Sequence, residues 1–386
     1  MNSRRLACVL GAVLCCAPVL AVCAPVDQAY ERVRATFSQK APLVPNPQVL
    51  HADWQPAPFD PAPYTFTVEE IRANWDQFMR GLRLPYPSAD YLQARYQRFP
   101  NLYRDLRYQD DDWEQHSRNV LEVWQAFFRG DFRHARDLGR RYGGYARVPA
   151  VVAQIVYATY LAPTHEQKQQ LLQEAINDMA WFGENMAVLP GDKALTADYC
   201  MMRLGFGYAV ARLAEDESVP ATLQRNYAAM VINAATEMLA VAPDHPLALS
   251  LSAAFEANVL RRVGKTAGKL TLAADSKDAI QPFETALRKE KNLAIVRYEY
   301  ANSLLYTYQE EALKPALAQL QVAAQLPAGF SMEWLDRAYA RKRLQEVLAW
   351  RDSGMSFKRF DRKRRKFMLK ENTNLYAVTL PPFLVE

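Results

Sequence analysis

One short pattern recurs along the second half of the chain and restricts it to helix packed on helix. Met201-x2-Leu204-Gly205-x2-Tyr208 sets two apolar residues, a small residue and an aromatic on one helix face. Ala248-x2-Leu251-Ser252-x2-Phe255 has the same form, and Arg297-x2-Tyr300-Ala301-x2-Leu304 follows it with a charged first member. Val152-x2-Ile155-Val156-x2-Thr159 is a looser instance. The small-residue positions Val156, Gly205, Ser252 and Ala301 are separated by 49, 47 and 49 residues. Self-similarity at such a period is the mark of a repeat architecture, with a small residue where neighbouring helices approach closely. A companion pattern supplies the second helix of each unit: Val231-x3-Ala235-x2-Met238, Ala279-x3-Phe283-x2-Ala286 and Ala316-x3-Leu320-x2-Ala323. Only 14 of the 386 residues are glycine, which argues against turn-dense β-sandwiches and barrels, and half the chain is apolar, enough for a substantial core.

On these motifs, over roughly residues 120–345, the chain resembles the tetratricopeptide-repeat family and is similar to exported bacterial proteins built from such hairpins. It departs from the family in period, since those repeats run about 34 residues. The resemblance implies an all-α fold, a right-handed solenoid of helical hairpins whose first helices line a concave surface. In that phase the groove receives Tyr157 and Tyr160, then Tyr199, Met202 and Phe206, then Glu256, then Tyr298, Asn302 and Tyr306. Aromatics with polar tips suit a groove that grips an extended peptide or an amphipathic helix. The plainer alternatives are an irregular helical bundle, and tyrosines that simply pack between hairpins.

The flanks have their own character. Arg4-Arg5, an apolar run from Leu6 to Val22 and Val22-Cys23-Ala24 form a secretory leader over residues 1–24, so the mature protein is expected in the periplasm or outside the cell. Leu20-Ala21-Val22-Cys23 leaves lipidation as a variant, and a retained anchor is another. Loss of Arg4 and Arg5 leaves 45 basic against 42 acidic side chains, or +3, which gives no support to nucleic-acid binding. Cys200 is then the lone thiol, a buried inert residue rather than a nucleophile. Residues 25–65 hold eight of the 23 prolines and predict an extended arm. Residues 66–115 form an aromatic-rich helical segment, opened by the capping-box spacing Thr67-Val68-Glu69-Glu70. The repeats occupy 116–350. The segment 351–386 carries eight cations between Lys358 and Lys370 against Asp361, with Arg362, Lys363, Arg364 and Arg365 consecutive and Phe357, Phe360 and Phe367 interleaved. This is either a surface for anionic headgroups or a final helix that caps the array.

Chemical signatures are scarce. No His-Glu-x-x-His pair, Cys-x-x-Cys or Gly-x-Ser-x-Gly occurs, so no zinc site or serine elbow is expected. Gly264-Lys265-Thr266 lacks the first glycine of a phosphate loop, and Gly205-Phe206-Gly207 lacks the third glycine of a dinucleotide fingerprint. The expectation is a non-enzymatic scaffold with no cofactor and no metal, binding a protein or peptide in the cell envelope. The alternatives are a peripheral membrane protein acting through the basic segment, and an envelope hydrolase or lyase whose helices position substrate.

Overall fold

The structure, a computed structural model, describes residues 46–103, 112–184, 193–217, 222, 225–264, 276–371, 374–375 and 380–385. The expected leader and the first part of the arm lie outside the described residues. Within them the chain is all-α, with no strand.

Four short helices come first: α1 (Pro47–Leu50), α2 (Val68–Ala73), α3 (Trp75–Phe78) and α4 (Ala89–Arg98). The capping box forms as expected: Glu70 N–H donates to Thr67 Oγ1 (3.2 Å) and Thr67 N–H to Glu70 Oε2 (2.8 Å). The helix it opens breaks at Asn74 instead of continuing, yet Ile71, Trp75, Phe78 and Leu82 are all buried. The Trp75 indole N–H donates to the Leu84 carbonyl at 2.7 Å, and Trp75 meets Trp124 edge to face at 5.8 Å. Trp75, Phe78 and Phe99 of this aromatic-dense segment are therefore core, while Tyr96 is exposed.

Twelve further helices of nine or more residues follow among the described residues. They are α5 (Trp113–Arg129), α6 (Phe132–Tyr142), α7 (Arg147–Tyr160), α8 (His165–Glu184), α9 (Lys193–Glu215) and α10 (Tyr227–Val241), then α11 (Pro246–Val263), α12 (Gln281–Lys289), α13 (Ala294–Tyr308), α14 (Leu313–Gln325), α15 (Ser331–Asp352) and α16 (Phe357–Met368). Their boundaries are local in origin. Asp112 caps α5 by accepting from Gln115 N–H at 2.8 Å. Gly130, at φ +89°, ends it in the left-handed region that glycine enters without steric cost. Asp131 caps α6 on the next residue, and Pro246 opens α11 in the first turn, where a missing N–H costs nothing.

Consecutive helices pack as hairpins from α5 to α15, and each odd-numbered helix also packs on the next odd-numbered one. The companion motif is buried throughout: Val231, Ala235, Met238, Ala279, Phe283, Ala286, Ala316, Leu320 and Ala323 are all core residues of α10, α14 and the α12 region. At the close-approach position of α9, a β-carbon on Gly205 would lie 2.8 Å from Met179 Cε of α8.

The last inner helix returns to the first. Ser331 Oγ at the start of α15 donates to the Phe127 carbonyl near the end of α5 at 2.6 Å, and Phe330 packs on Phe128 at 5.2 Å. Tyr160, the last residue of α7, donates its hydroxyl to Asp336 Oδ1 at 2.5 Å and meets the Tyr339 ring at 5.2 Å. The described part of residues 25–65, which the proline density predicts to be extended, carries the short helix α1 and lies against α7 and α15: Trp54 stacks on Tyr157 at 4.0 Å and Phe59 packs on Trp334 at 4.8 Å.

Candidate functional site

Helices α7, α9, α10, α11, α13 and α15 line a cavity of about 250 Å³. Its wall is mainly aliphatic: Val152 and Ile155 from α7, Met201 and Leu204 from α9, Val231 from α10, Leu247 and Leu251 from α11, Ile295 from α13 and Met332 from α15. Polar groups gather on one side. Arg212 is the hub, donating to Glu215 Oε1 at 2.6 Å and to Glu299 Oε1 at 2.5 Å, with its guanidinium 4.7 Å from the centre of the Tyr208 ring. Asp336 stands beside this group, and among the described residues Tyr160 alone hydrogen-bonds it.

These groups titrate apart. Burial pushes the Asp336 carboxyl up to about 7, partly offset by the Tyr160 hydrogen bond. Burial also raises Glu299 against the pull of Arg212. For Glu215 burial acts the same way, but Arg212 and Lys168 outweigh it and hold the carboxyl below its ordinary value. Burial opposes the Arg212 charge, yet Glu215, Tyr208 and Glu299 together raise its pKa well above normal.

A second, polar space of about 110 Å³ shares Arg212, Glu215, Asn258, Arg262 and Glu299 with the first. Tyr298, Asn302 and Tyr306 of α13 line it, with Arg364 and Arg365 of α16. Arg343 Nε donates to Asn302 Oδ1 at 2.8 Å, and the Arg261 guanidinium lies 4.1 Å from the Tyr306 ring centre.

The residues expected in the groove thus divide. Tyr160, Tyr298, Asn302 and Tyr306 line the two joined spaces. Tyr157 does not: it is fully buried beneath Trp54, its hydroxyl accepting from Gln55 N–H at 2.9 Å, so the chain's own arm covers that position. Phe206 is buried under the Arg203 guanidinium, and Glu256 is half-buried away from both spaces. The side chain of Tyr199 lies outside the described residues. On α7 and α9 the cavity is lined instead by Val152, Ile155, Met201, Leu204 and Tyr208, the motif residues themselves.

The basic segment also needs correction, because its four consecutive cations are not one surface. Arg364 is buried, donating to Glu346 Oε2 at 2.8 Å, and Arg365 reaches Asp361 at 3.2 Å. Asp361 is itself buried against Arg261. Lys363 is half-buried over the Phe383 ring, and Arg362 is exposed. A helix turns a new face every residue, so four in a row must point both inward and outward. Phe360 stacks on Trp350 at 5.4 Å, and Phe357 meets it edge-on at 5.2 Å, which docks α16 on α15.

Other nominated chemistry is quiet. Cys200 is buried and its thiol is pushed up to about 12 by burial. His116 and His245 are buried, which lowers each to about 4. No cluster of His, Cys, Asp and Glu suited to a metal ion occurs among the described residues, and no described helix is long and apolar enough to cross a membrane. Gly205-Phe206-Gly207 sits inside α9, while Lys265-Thr266 lies outside the described residues.

Sequence reasoning missed Arg212, Glu215, Glu299 and Asp336. The available signal was an acid at apolar-face spacing, Met332-x3-Asp336-x2-Tyr339, and the Arg212-x2-Glu215 step at the end of an otherwise apolar helix. Comparison with protein-family models, curated proteins and solved structures finds no match to this chain.

Proposed function

We propose that the protein is an exported, non-enzymatic scaffold, a right-handed solenoid of tetratricopeptide-like hairpins that binds a protein or peptide partner in the cell envelope. The observation that supports this most is the convergence of five inner helices on one aliphatic cavity, with Tyr298, Asn302 and Tyr306 continuing it as a polar extension. Such a space takes apolar side chains and fixes them with a few placed polar groups. The test is capture from an envelope extract by the mature protein and by Ala254→Trp, which fills the cavity. A partner bound by the first and lost by the second, at equal helicity, supports the reading. Capture indifferent to the substitution removes the cavity from it.

A second reading rests on α16, whose Lys358, Arg359, Arg362 and Lys366 are exposed. In it the protein lies on an anionic membrane surface, each cation contributing about 1 kcal/mol. Co-sedimentation with acidic liposomes, abolished by salt, distinguishes it from the first. The hydrolase or lyase alternative draws on Glu215, Glu299 and Asp336 meeting at one cavity, but Arg212 bonds both glutamates and the space they face is aliphatic.

A further inference from the structure

We infer that the central cavity is a binding site for a primary amine carried on an apolar body, with Asp336 as its counter-ion. The inference goes beyond the partner reading and does not depend on it, since the ligand is a small molecule and its test needs no partner.

The argument begins with charge. Three carboxylates line the cavity, Glu215, Glu299 and Asp336, against two guanidiniums, Arg212 and Arg262. Arg212 is shared by the two glutamates, and Arg262 donates to the Ala214 carbonyl at 3.1 Å. Asp336 has no ion pair among the described residues. The groups that face it are the Tyr160 hydroxyl from α7, Tyr208 and Arg212 from α9, Glu299 from α13 and Glu333 on its own helix. The single cation among these is already committed to two other carboxylates. A buried carboxylate without a cation is costly, and a cavity wall is where a ligand can relieve that cost.

Geometry and shape then define the ligand. Tyr160 occupies Oδ1 of Asp336, and Oδ2 accepts from no described residue. An ammonium, a compact cation with three donors, suits that free oxygen. An anionic head placed at that oxygen would meet the like charge of Asp336, with Arg262 held to the Ala214 carbonyl. The rest of the wall, with Ile155, Leu204 and Met332, offers nothing to hydrogen-bond. A cavity of about 250 Å³ with an aliphatic wall admits an apolar body of several carbons, for which an octyl chain serves as the probe.

The experiment is isothermal titration calorimetry of the mature protein at pH 8 with octylamine, octan-1-ol and octanoate, each below its aggregation limit. Octylamine is expected to bind about tenfold or more tighter than octanol, as a charge-assisted hydrogen bond requires, with octanoate weakest. Asp336→Asn should erase the preference for the amine and leave the octanol affinity within about twofold. Ala254→Trp, at unchanged helicity, should remove all three. At pH 5, where Asp336 is protonated, the amine preference should shrink in the wild type. Octanoate binding as tightly as octylamine, an amine preference that survives Asp336→Asn, or no binding by any of the three would overturn the inference.

Discussion

Replacing Gly139 or Gly205 by alanine adds one methyl group to a helix face, and the surroundings set different costs for the two. In both places alanine gains about 0.5–1 kcal/mol of helix propensity, because the unfolded chain samples fewer conformations with alanine than with glycine. At Gly139 the new carbon meets the Ala146 carbonyl oxygen and lies 2.6 Å from Ala150 Cβ. Both atoms are fixed by backbone, so α6 must lift away from the start of α7. Overpacking of that kind costs about 1–3 kcal/mol and outweighs the propensity gain. At Gly205 the contacts are Met179 Cε at 2.8 Å and Met179 Sδ at 3.3 Å, the far end of an unbranched side chain that can rotate away. Gly205→Ala should therefore be neutral or stabilising by up to about 1 kcal/mol, and Gly139→Ala destabilising by about 1–2 kcal/mol. Gly205→Leu brings three further carbons, which Met179 alone cannot accommodate, and should fall to about 1–3 kcal/mol below wild type. Urea denaturation followed by far-ultraviolet dichroism measures all three. If Gly139→Ala is as stable as Gly205→Ala, the close packing of α6 on α7 is wrong.

Three further outcomes follow from the ionisable and aromatic contacts. Asp336 has a folded-state pKa of about 7 against an ordinary value of 3.8, so its contribution to stability is full below pH 4 and is lost as pH rises towards 7. Asp336→Asn should therefore gain on the wild type between pH 5 and pH 8 in paired urea titrations; a difference independent of pH would refute the assignment. Arg364→Gln breaks a buried pair with Glu346 and should cost up to about 3–5 kcal/mol, tempered by Arg343, while Arg362→Gln and Lys366→Gln should stay within about 0.5 kcal/mol. Equal melting temperatures for these variants would mean that α16 is not docked. Trp54→Ala removes the Tyr157 stack and the Arg136 contact at 5.7 Å, and limited proteolysis should then cut the arm faster while the helical core melts nearly as before.

What was legible in the sequence was the helix pairing, because it is carried by side chains that neighbour each other along one helix. The capping box at Thr67, the small residue at Gly205 and the nine buried residues of the companion motif are all local patterns with a fixed period. The break at Asn74 was not legible, since the apolar face continues through it from Ile71 to Leu82. On α13 Tyr298, Asn302 and Tyr306, named from the repeat spacing, line the polar space. On α7 Tyr160 lines the cavity but Tyr157 does not, and on α9 Phe206 does not, since the face towards the cavity depends on how far each hairpin is rotated against the next. Rotation of that kind is set by bulk at several contacts and has no short motif. The Arg212 cluster escaped for a related reason: its members stand on three helices more than 80 residues apart in sequence at the Arg212–Glu299 contact.

Trp54, Phe59 and α16 together show why a ligand-binding face cannot be inferred from repeat spacing alone. In an open array each hairpin touches its neighbours and the inner face is left for a ligand. Here Trp54 lies over Tyr157, Phe59 reaches Trp334, and the start of α15 meets the end of α5, so much of that face is spent on the chain itself. At the other end Arg364 and Asp361 turn inward to Glu346 and Arg261. Trp54 and Phe59 stand in a proline-rich stretch and Arg364 in a cationic one, so it is the neighbouring sequence that suggests a surface role for them. What they leave free is the cavity behind them, where the carboxylate of Asp336 has no ion pair among the described residues. Burial is what gives that carboxylate its reach, because an ionic contact made out of water is screened far less than the same contact on the exposed face of α16. For this fold, selectivity is therefore expected from one buried carboxylate more than from the exposed cations of the basic helix.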